Sequence, residues 1–241
     1  DRRPPRKPLV TYPAISILVA AYNEESSIAD TLRSIARQGY PGEFEVLVID
    51  DGSTDATAAI VEANPYPWAR LLRQPRNMGK AAALNRGLAE LKHDYVITLD
   101  ADSFLFGDAL ARLVGRYFSD PSSTRAVAGT MLVRNSRKNW VTRAQEWDYF
   151  HGIAAIKRVQ SLFQGTMVAQ GAFSIYDREA LVATGAILAP RIIRTATPFT
   201  YRYRGDYQAL IKALVRHEGR NLQILEDIMG VVREGGSGTI L

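Results

Sequence analysis

Apolar residues recur along this chain in short unbroken runs that alternate with stretches of helical period. Ile15–Ala21 (Ile-Ser-Ile-Leu-Val-Ala-Ala) is short and rich in apolar side chains, as a strand covered on both faces should be. It ends at the polar run Tyr22-Asn23-Glu24-Glu25-Ser26. Ile28, Leu32, Ile35 and Ala36 then mark one face of a helix that Gly39 and Pro41 stop. A second strand over residues 44–49 delivers Asp50-Asp51-Gly52-Ser53-Thr54-Asp55, and Ala58, Ile60, Val61 and Ala63 predict the next helix. Residues 68–72 give a third strand, which leads through Pro75 and Asn77 to Gly79-Lys80. A helix over 81–91 follows, with Leu84, Leu88 and Leu91 on one face. The fourth strand is the run Tyr-Val-Ile-Thr-Leu-Asp-Ala-Asp at 95–102.

Three rounds of strand–helix alternation with short connections predict an α/β fold: a doubly wound, mixed but mainly parallel sheet with helices on both faces. The rest of the chain is less regular. The pattern predicts a helix over 104–118, a strand over 126–133 and a helix over 139–163. Trp140, Trp147, Tyr149 and Phe150 of that helix are expected in the core. A strand within 168–176 carries Gln170-Gly171-Ala172-Phe173, small residues where a ligand can approach backbone. A short helix over 177–183 ends at Gly185.

With 241 residues there is room for one substantial domain and a small appendage. The absence of cysteine excludes disulfides and thiolate metal sites, and a reducing compartment is the default. No apolar run is long enough to span a bilayer and no signal-peptide pattern opens the chain, so solubility is expected, alone or as a piece of something longer. The net charge of +5 is uneven. Residues 1–8 hold four basic and one acidic side chain, and 191–220 hold seven basic and two acidic, around a mildly acidic body. Basic ends fit an anionic membrane surface or a solvated face, and no recognisable nucleic-acid module accompanies them. Residues 1–13, with four prolines, read as an extended lead-in.

The polar clusters at 22–25, 50–55 and 100–102 all follow strands, and ligands of such sheets bind at the carboxyl ends of strands. Asp100 and Asp102 carry the sharpest chemistry. Residues i and i+2 of an extended chain point the same way, so both carboxylates can face one ligand. A hard divalent ion, Mg2+ or Mn2+, with substrate phosphates on its open positions, would relieve their repulsion. The plainer alternative is a strand end whose two aspartates are solvated or cap the next helix.

The assembly resembles an inverting family-2 glycosyltransferase of the GT-A fold, with processive polysaccharide synthases such as poly-N-acetylglucosamine, chitin-oligosaccharide and hyaluronan synthases as its kin. The residues that carry the likeness are Val19-Ala20-Ala21-Tyr22-Asn23-Glu24, Val48-Ile49-Asp50-Asp51-Gly52-Ser53-Thr54-Asp55, Asn77-Met78-Gly79-Lys80-Ala81, Leu99-Asp100-Ala101-Asp102, and the stretch from Gly171 to Leu181. They cover about residues 14–185, in the family's order. The resemblance implies that Tyr22, Asn23 and Glu24 line a nucleotide pocket, and that Asp51, with Asp50 beside it, faces the uracil and ribose. It also implies that Lys80 reaches the diphosphate, Asp102 meets the metal, and Asp100 lies close to the ribose or metal. Gly171 and Ala172 would adjoin the acceptor sugar.

Residues 186–241 depart from that pattern. The Gln-x-x-Arg-Trp motif of processive members is missing, and the only Glu-Asp pair is Glu226-Asp227, which follows Leu222-Gln223-Ile224-Leu225. By elimination, Asp227 with Glu226 is the candidate base for the acceptor hydroxyl; the plainer alternative is that the two cap or decorate a surface helix. Residues 206–216 predict an amphipathic helix, and Gly235-Gly236-Ser237-Gly238 a flexible stretch.

The implied function is metal-dependent transfer of a sugar, N-acetylglucosamine by resemblance, from a UDP-sugar donor to a saccharide acceptor with inversion. The implied location is the cytoplasmic face of the cell membrane, with flanking transmembrane helices in a longer protein, or the cytoplasm. Two competitors stand beside it. A sugar-nucleotidyltransferase would want a Gly-rich basic loop after its first strand, where this chain has acidic Tyr22-Asn23-Glu24-Glu25. A nucleotide-sugar-binding domain without a base would bind the donor and transfer nothing.

Overall fold

The computed structural model describes residues 9–134, 137–151 and 171–183. All of them lie within one unit, Asp1–Ala189. The first half follows the alternation closely: β1 (Ile15–Ala21), α1 (Ile28–Ala36), β2 (Phe44–Asp50), α2 (Thr57–Glu62), β3 (Ala69–Arg73), α3 (Lys80–Ala89) and β4 (Tyr95–Asp100). The described remainder supplies α4 (Ala109–Tyr117), β5 (Ala126–Ala128), α5 (Trp140–Tyr149), β6 (Phe173–Asp177) and α6 (Arg178–Ala183).

The six strands form one sheet in the order β3-β2-β1-β4-β6-β5. β1 pairs in parallel with both β2 and β4, and β2 with β3; β6 runs antiparallel to β4 and to β5. The expected mixed, mainly parallel sheet is therefore present. The strand order reverses between β1 and β4, where a crevice opens beyond the strand ends.

β1 is apolar apart from Ser16, whose hydroxyl donates to Glu45 Oε1 at 2.7 Å, because it is covered on both faces. Ile15, Ile17 and Val19 join Val46, Val48, Ile97 and Leu99 beneath α1 and α4, which contribute Ile28, Leu32, Ile35, Leu110 and Val114. The alternate residue Leu18 joins Leu47, Ile49 and Val96 against Ala83, Leu84 and Leu88 of α3, with Leu181 of α6. Truncating Leu32, which is 1% exposed, should cost about 2–5 kcal/mol.

Three expectations need correction. The helix predicted over 104–118 begins only at Ala109, because α1 holds the preceding loop with polar side chains. The Gln38 side chain donates from Nε2 to the Phe106 carbonyl at 2.7 Å and accepts from the Leu110 N–H at 3.1 Å. The strand predicted over 126–133 ends at Ala128. At Gly129 any Cβ would lie 2.2 Å from Phe173 Cδ1, and its N–H is already spent on the Phe173 carbonyl at 2.8 Å. The aromatics of α5 are not core: Trp140 is 79% exposed and Trp147 65%, and no residue of this helix is buried. A capping box holds it instead, with Asn139 accepting from the Thr142 N–H while the Thr142 hydroxyl accepts from the Asn139 N–H. Trp140, Ala144 and Trp147 share one side of the helix at i, i+4, i+7 spacing, yet that side is left exposed rather than packed on the core. Among the described residues, no helix is long and apolar enough to cross a membrane.

Candidate functional site

Two polar loops, one after β1 and one after β2, are laced together at the carboxyl edge of the sheet. The Asn23 N–H donates to the Ser53 hydroxyl at 3.0 Å, and the Thr54 N–H returns to Asn23 Oδ1 at 2.9 Å. One step further, the Glu25 N–H donates to Asp55 Oδ2 at 3.1 Å, and the Ala56 N–H returns to Glu25 Oε2 at 2.9 Å. Between them, the Glu24 N–H meets Thr57 Oγ1 at 2.7 Å, while the Glu24 carboxylate accepts from the Ser27 hydroxyl at 2.6 Å. Asn23 adopts φ +56° to make these bonds, a left-handed conformation that asparagine tolerates better than most residues. Tyr22 is left 45% exposed beside the latch. Burial raises the Asp55 pKa, but this is outweighed by hydrogen bonds from the Thr57 hydroxyl and the Thr57 and Glu25 amides, which hold the carboxyl below its ordinary range.

Asp50 and Asp51 are both buried, at 4% and 3% exposure. Asp50 accepts the Ser53 N–H at 3.1 Å and thereby shapes its own turn. Asp51 accepts from Gln74 Nε2 at 2.9 Å, the Met78 N–H at 2.8 Å and the Gly79 N–H at 2.8 Å. Its carboxylate therefore braces the loop that leads into α3. Gly52 makes that approach possible. Its φ is +73°, and a Cβ there would fall 2.5 Å from the backbone carbon of Arg76.

The Asp-Ala-Asp turn is anchored from α1: Thr31 Oγ1 donates to the Ala101 carbonyl at 2.7 Å, and Ser34 Oγ accepts the Leu105 N–H at 3.1 Å. Asp100 lies at the last position of β4 and forms an ion pair with Lys80, the first residue of α3. Asp102 is exposed and has no hydrogen bond or ion pair among the described residues. On the far side, the Asp100 N–H donates to the Ala172 carbonyl at 3.2 Å, and the Cβ position of Gly171 is 4.0 Å from Lys80 Nζ. Lys80, Asp100, Gly171 and Ala172, drawn from three separated stretches of sequence, thus meet at one point.

Among the described residues no group of three or more His, Asp or Glu side chains stands together as a cage for a metal. Asp100 and Asp102 are hard oxygen donors on one turn. A magnesium-like ion is characteristically bound by one or two carboxylates plus substrate phosphates, so this pair fits such an ion. Glu226 and Asp227 lie outside the described residues, as do the predicted amphipathic helix over 206–216 and the glycine-rich stretch over 235–238.

Sequence reasoning missed Thr31 and Ser34, whose spacing along α1 marks a polar side facing a loop, and Gln38 just beyond the end of that helix. It also missed Gln74, for which the sequence carries no comparable signal.

The sequence model of the family described as Glycosyl transferase family 2 matches residues 16–184. The chain is similar to the poly-beta-1,6-N-acetyl-D-glucosamine synthase of Staphylococcus epidermidis, with 35% identity over 172 residues, covering 71% of this chain and 41% of that protein. The synthase of the same name from Staphylococcus aureus (strain COL) is 34% identical over 175 residues, with the same coverage of each. The chain therefore spans about two-fifths of the length of these curated relatives. Among solved structures, the mannosyltransferase PcManGT from Pyrobaculum calidifontis, in complex with GDP-Man and Mn2+, matches with a TM-score of 0.60 at 28% identity, covering 73% of this chain and 48% of that one. The S. aureus TarS fragment 1–349 matches in fold, with a TM-score of 0.51 at 23% identity over 71% of this chain and 49% of its own.

Proposed function

Because this chain belongs to glycosyl transferase family 2, we propose that it is the donor-binding core of a polysaccharide synthase. It takes a sugar, N-acetylglucosamine, from a UDP-sugar and passes it with inversion to a saccharide acceptor. The observation that carries this reading is the meeting of Lys80, Asp100 and Gly171-Ala172 at the reversal of strand order, with the partnerless Asp102 beside them. The choice of N-acetylglucosamine rests on the names of the curated relatives, and that of uridine on the family resemblance of the sequence motifs.

In this reading each element has a task. Tyr22, Asn23 and Glu24 form the wall of the nucleoside pocket, held in shape by the latch to residues 53–57. Asp50 and Asp51 form its floor. Lys80 brings a positive charge on a flexible stem to the diphosphate, whose leaving requires compensation of growing negative charge. Asp100 and Asp102 hold Mg2+ or Mn2+, which when bound supplies further neutralisation of that charge without proton transfer. Mn2+ accompanies the nucleotide sugar in the PcManGT complex, which supports a divalent ion here. Gly171 and Ala172 leave backbone open toward the acceptor. Asp227, with Glu226, takes the proton of the acceptor hydroxyl as the new bond forms. The basic character of residues 1–8 and 191–220 supports a place at the cytoplasmic face of a membrane, within a longer protein whose other segments supply the anchor.

Incubation with a panel of UDP- and GDP-sugars and Mn2+, in the presence of chito-oligosaccharide acceptors, tests the assignment. Transfer or slow hydrolysis confined to UDP-N-acetylglucosamine is the expected result. Binding of UDP without turnover of any donor would reduce the chain to a nucleotide-sugar-binding domain.

A further inference from the structure

Asp100 cannot serve Lys80 and a divalent cation equally well at the same time. We propose that Lys80 is an exchangeable counter-ion: it neutralises Asp100 until a donor diphosphate draws it away, so that nucleotide and divalent cation bind cooperatively. The inference rests on the donor-site reading above and concerns how that site is loaded.

The two side chains differ in freedom. Lys80 is 51% exposed on a four-carbon stem, whereas the Asp100 side chain is 29% exposed at the end of β4. The backbones beneath them are fixed independently of the ion pair. Asp51 holds the Met78 and Gly79 amides just before Lys80, and the Ala172 carbonyl holds the Asp100 N–H. Breaking the pair therefore moves one side chain and leaves the scaffold in place. Opposite the ammonium stands Gly171, where even an added Cβ would lie 4.0 Å away, so this residue leaves the lysine room to turn.

The carboxylate supply is short. Among the described residues, Asp100 and Asp102 have no third acidic or histidine neighbour with which to cage an ion. A cation arriving alone finds one partnerless carboxylate, Asp102, and a second already held by an ammonium that also repels it. A diphosphate changes both terms, since it offers Lys80 a stronger anionic partner and gives the cation further oxygen ligands. By linkage, the factor by which nucleotide raises cation affinity equals the factor by which cation raises nucleotide affinity. An ion pair this exposed is worth little in isolation, so its release should account for about a two- to fivefold change in cation affinity.

Mn2+ binding, read by the electron paramagnetic resonance signal of the free ion, tests the proposal with UDP as the nucleotide probe. In the wild type, UDP should tighten Mn2+ binding. Lys80→Met should bind Mn2+ without nucleotide about two- to fivefold more tightly than wild type, with the enhancement by UDP reduced by a like factor. Lys80→Arg, which keeps the charge, should resemble wild type. Adding Asp100→Asn to Lys80→Met should remove the gain. Lys80→Gln serves as a second neutral variant, and the thermal midpoint of each protein checks that it is folded. Unchanged or weaker nucleotide-free Mn2+ binding in the neutral variants overturns the proposal. So does a gain that survives Asp100→Asn, since it would then be a general charge effect. A wild type that shows no Mn2+-dependent UDP binding would instead overturn the donor-site reading itself.

Discussion

Asp51, at the mouth of β2, accepts the backbone N–H of Gly79, the residue before α3, at 2.8 Å. The second aspartate of the Asp-Asp-Gly-Ser turn is thus an internal brace as well as a candidate nucleoside contact. Asp51→Ala strands the Met78 amide and the Gln74 side chain, each unsatisfied donor costing about 1–3 kcal/mol where it stays buried, while the Gly79 amide keeps Asn77 Oδ1 at 3.0 Å. The expected outcome is a lower thermal midpoint together with reduced discrimination between UDP and GDP, measured by competition. An unchanged midpoint would deny the brace, and an unchanged UDP-to-GDP preference would deny the nucleoside contact.

Asp102 offers the opposite case, a carboxylate with no hydrogen bond or ion pair among the described residues. Asp102→Asn should leave the melting temperature unchanged or slightly raised, because its charge repels Asp100 nearby. Its Mn2+-dependent affinity for UDP should fall by about tenfold or more, the scale seen when even an outer-shell partner of a metal is lost. Calorimetric titration with and without Mn2+ separates the two effects, and equal UDP affinity in both proteins would remove Asp102 from the metal site.

Acid should weaken the fold through Glu45, at the other end of the sheet. Burial raises the pKa of this carboxyl, but the Ser16 hydroxyl, the Lys92 N–H, Arg70 and His93 outweigh it and hold the pKa below the ordinary 4.5. The folded state therefore favours the ionised form. The resulting stability is fully present above the unfolded-state pKa and is lost as pH falls through the lower folded-state value. Chemical denaturation at a series of pH values below 5 should show wild-type stability falling with acid and a shallower fall in Glu45→Gln. The variant should also be less stable than wild type at pH 7, and identical pH slopes would count against this account.

The base assignment depends on Asp227. Asp227→Asn should abolish sugar transfer while UDP-sugar affinity stays within about twofold, because only proton removal is lost. Single-turnover transfer assays beside donor titrations make the distinction. Full activity in the variant would send the search for the base to another carboxylate.

The parallel half of the fold was legible because its signals are local. Strands buried on both faces are mostly apolar along their length, as Ile15–Ala21 is apart from Ser16, and the intervening helices carry their period in the open. Where reading failed, the deciding contact came from far away in sequence. Residues 104–108 have helical composition, yet Gln38 and Gly39 hold them as a loop. Val127 continues a β-like run that Phe173 brings to a close at Gly129. The tryptophans of α5 look like core residues by type alone, and only three-dimensional context shows them exposed. At the site, the motifs identified the residue types, while the division of labour between the two aspartates of Asp50-Asp51 was hidden. No spacing rule announces that Asp51 will be claimed by amides at 78 and 79.

The antiparallel placement of β6 between β4 and β5 also affects how the molecule is made. β1 to β4 follow one another along the chain and pair in parallel among themselves, so they can assemble while the later residues are still leaving the ribosome. β6 cannot join until residue 173 has emerged, and β5 waits on β6 because it has no other partner in the sheet. The nascent chain must therefore carry an open β4 edge through a long interval of synthesis. That edge bears Val96, Ile97 and Leu99, which makes it the surface most exposed to wrong pairing with another copy. Fast translation from residue 100 to 173, or a chaperone covering the edge meanwhile, would protect the nascent protein at its most vulnerable stage.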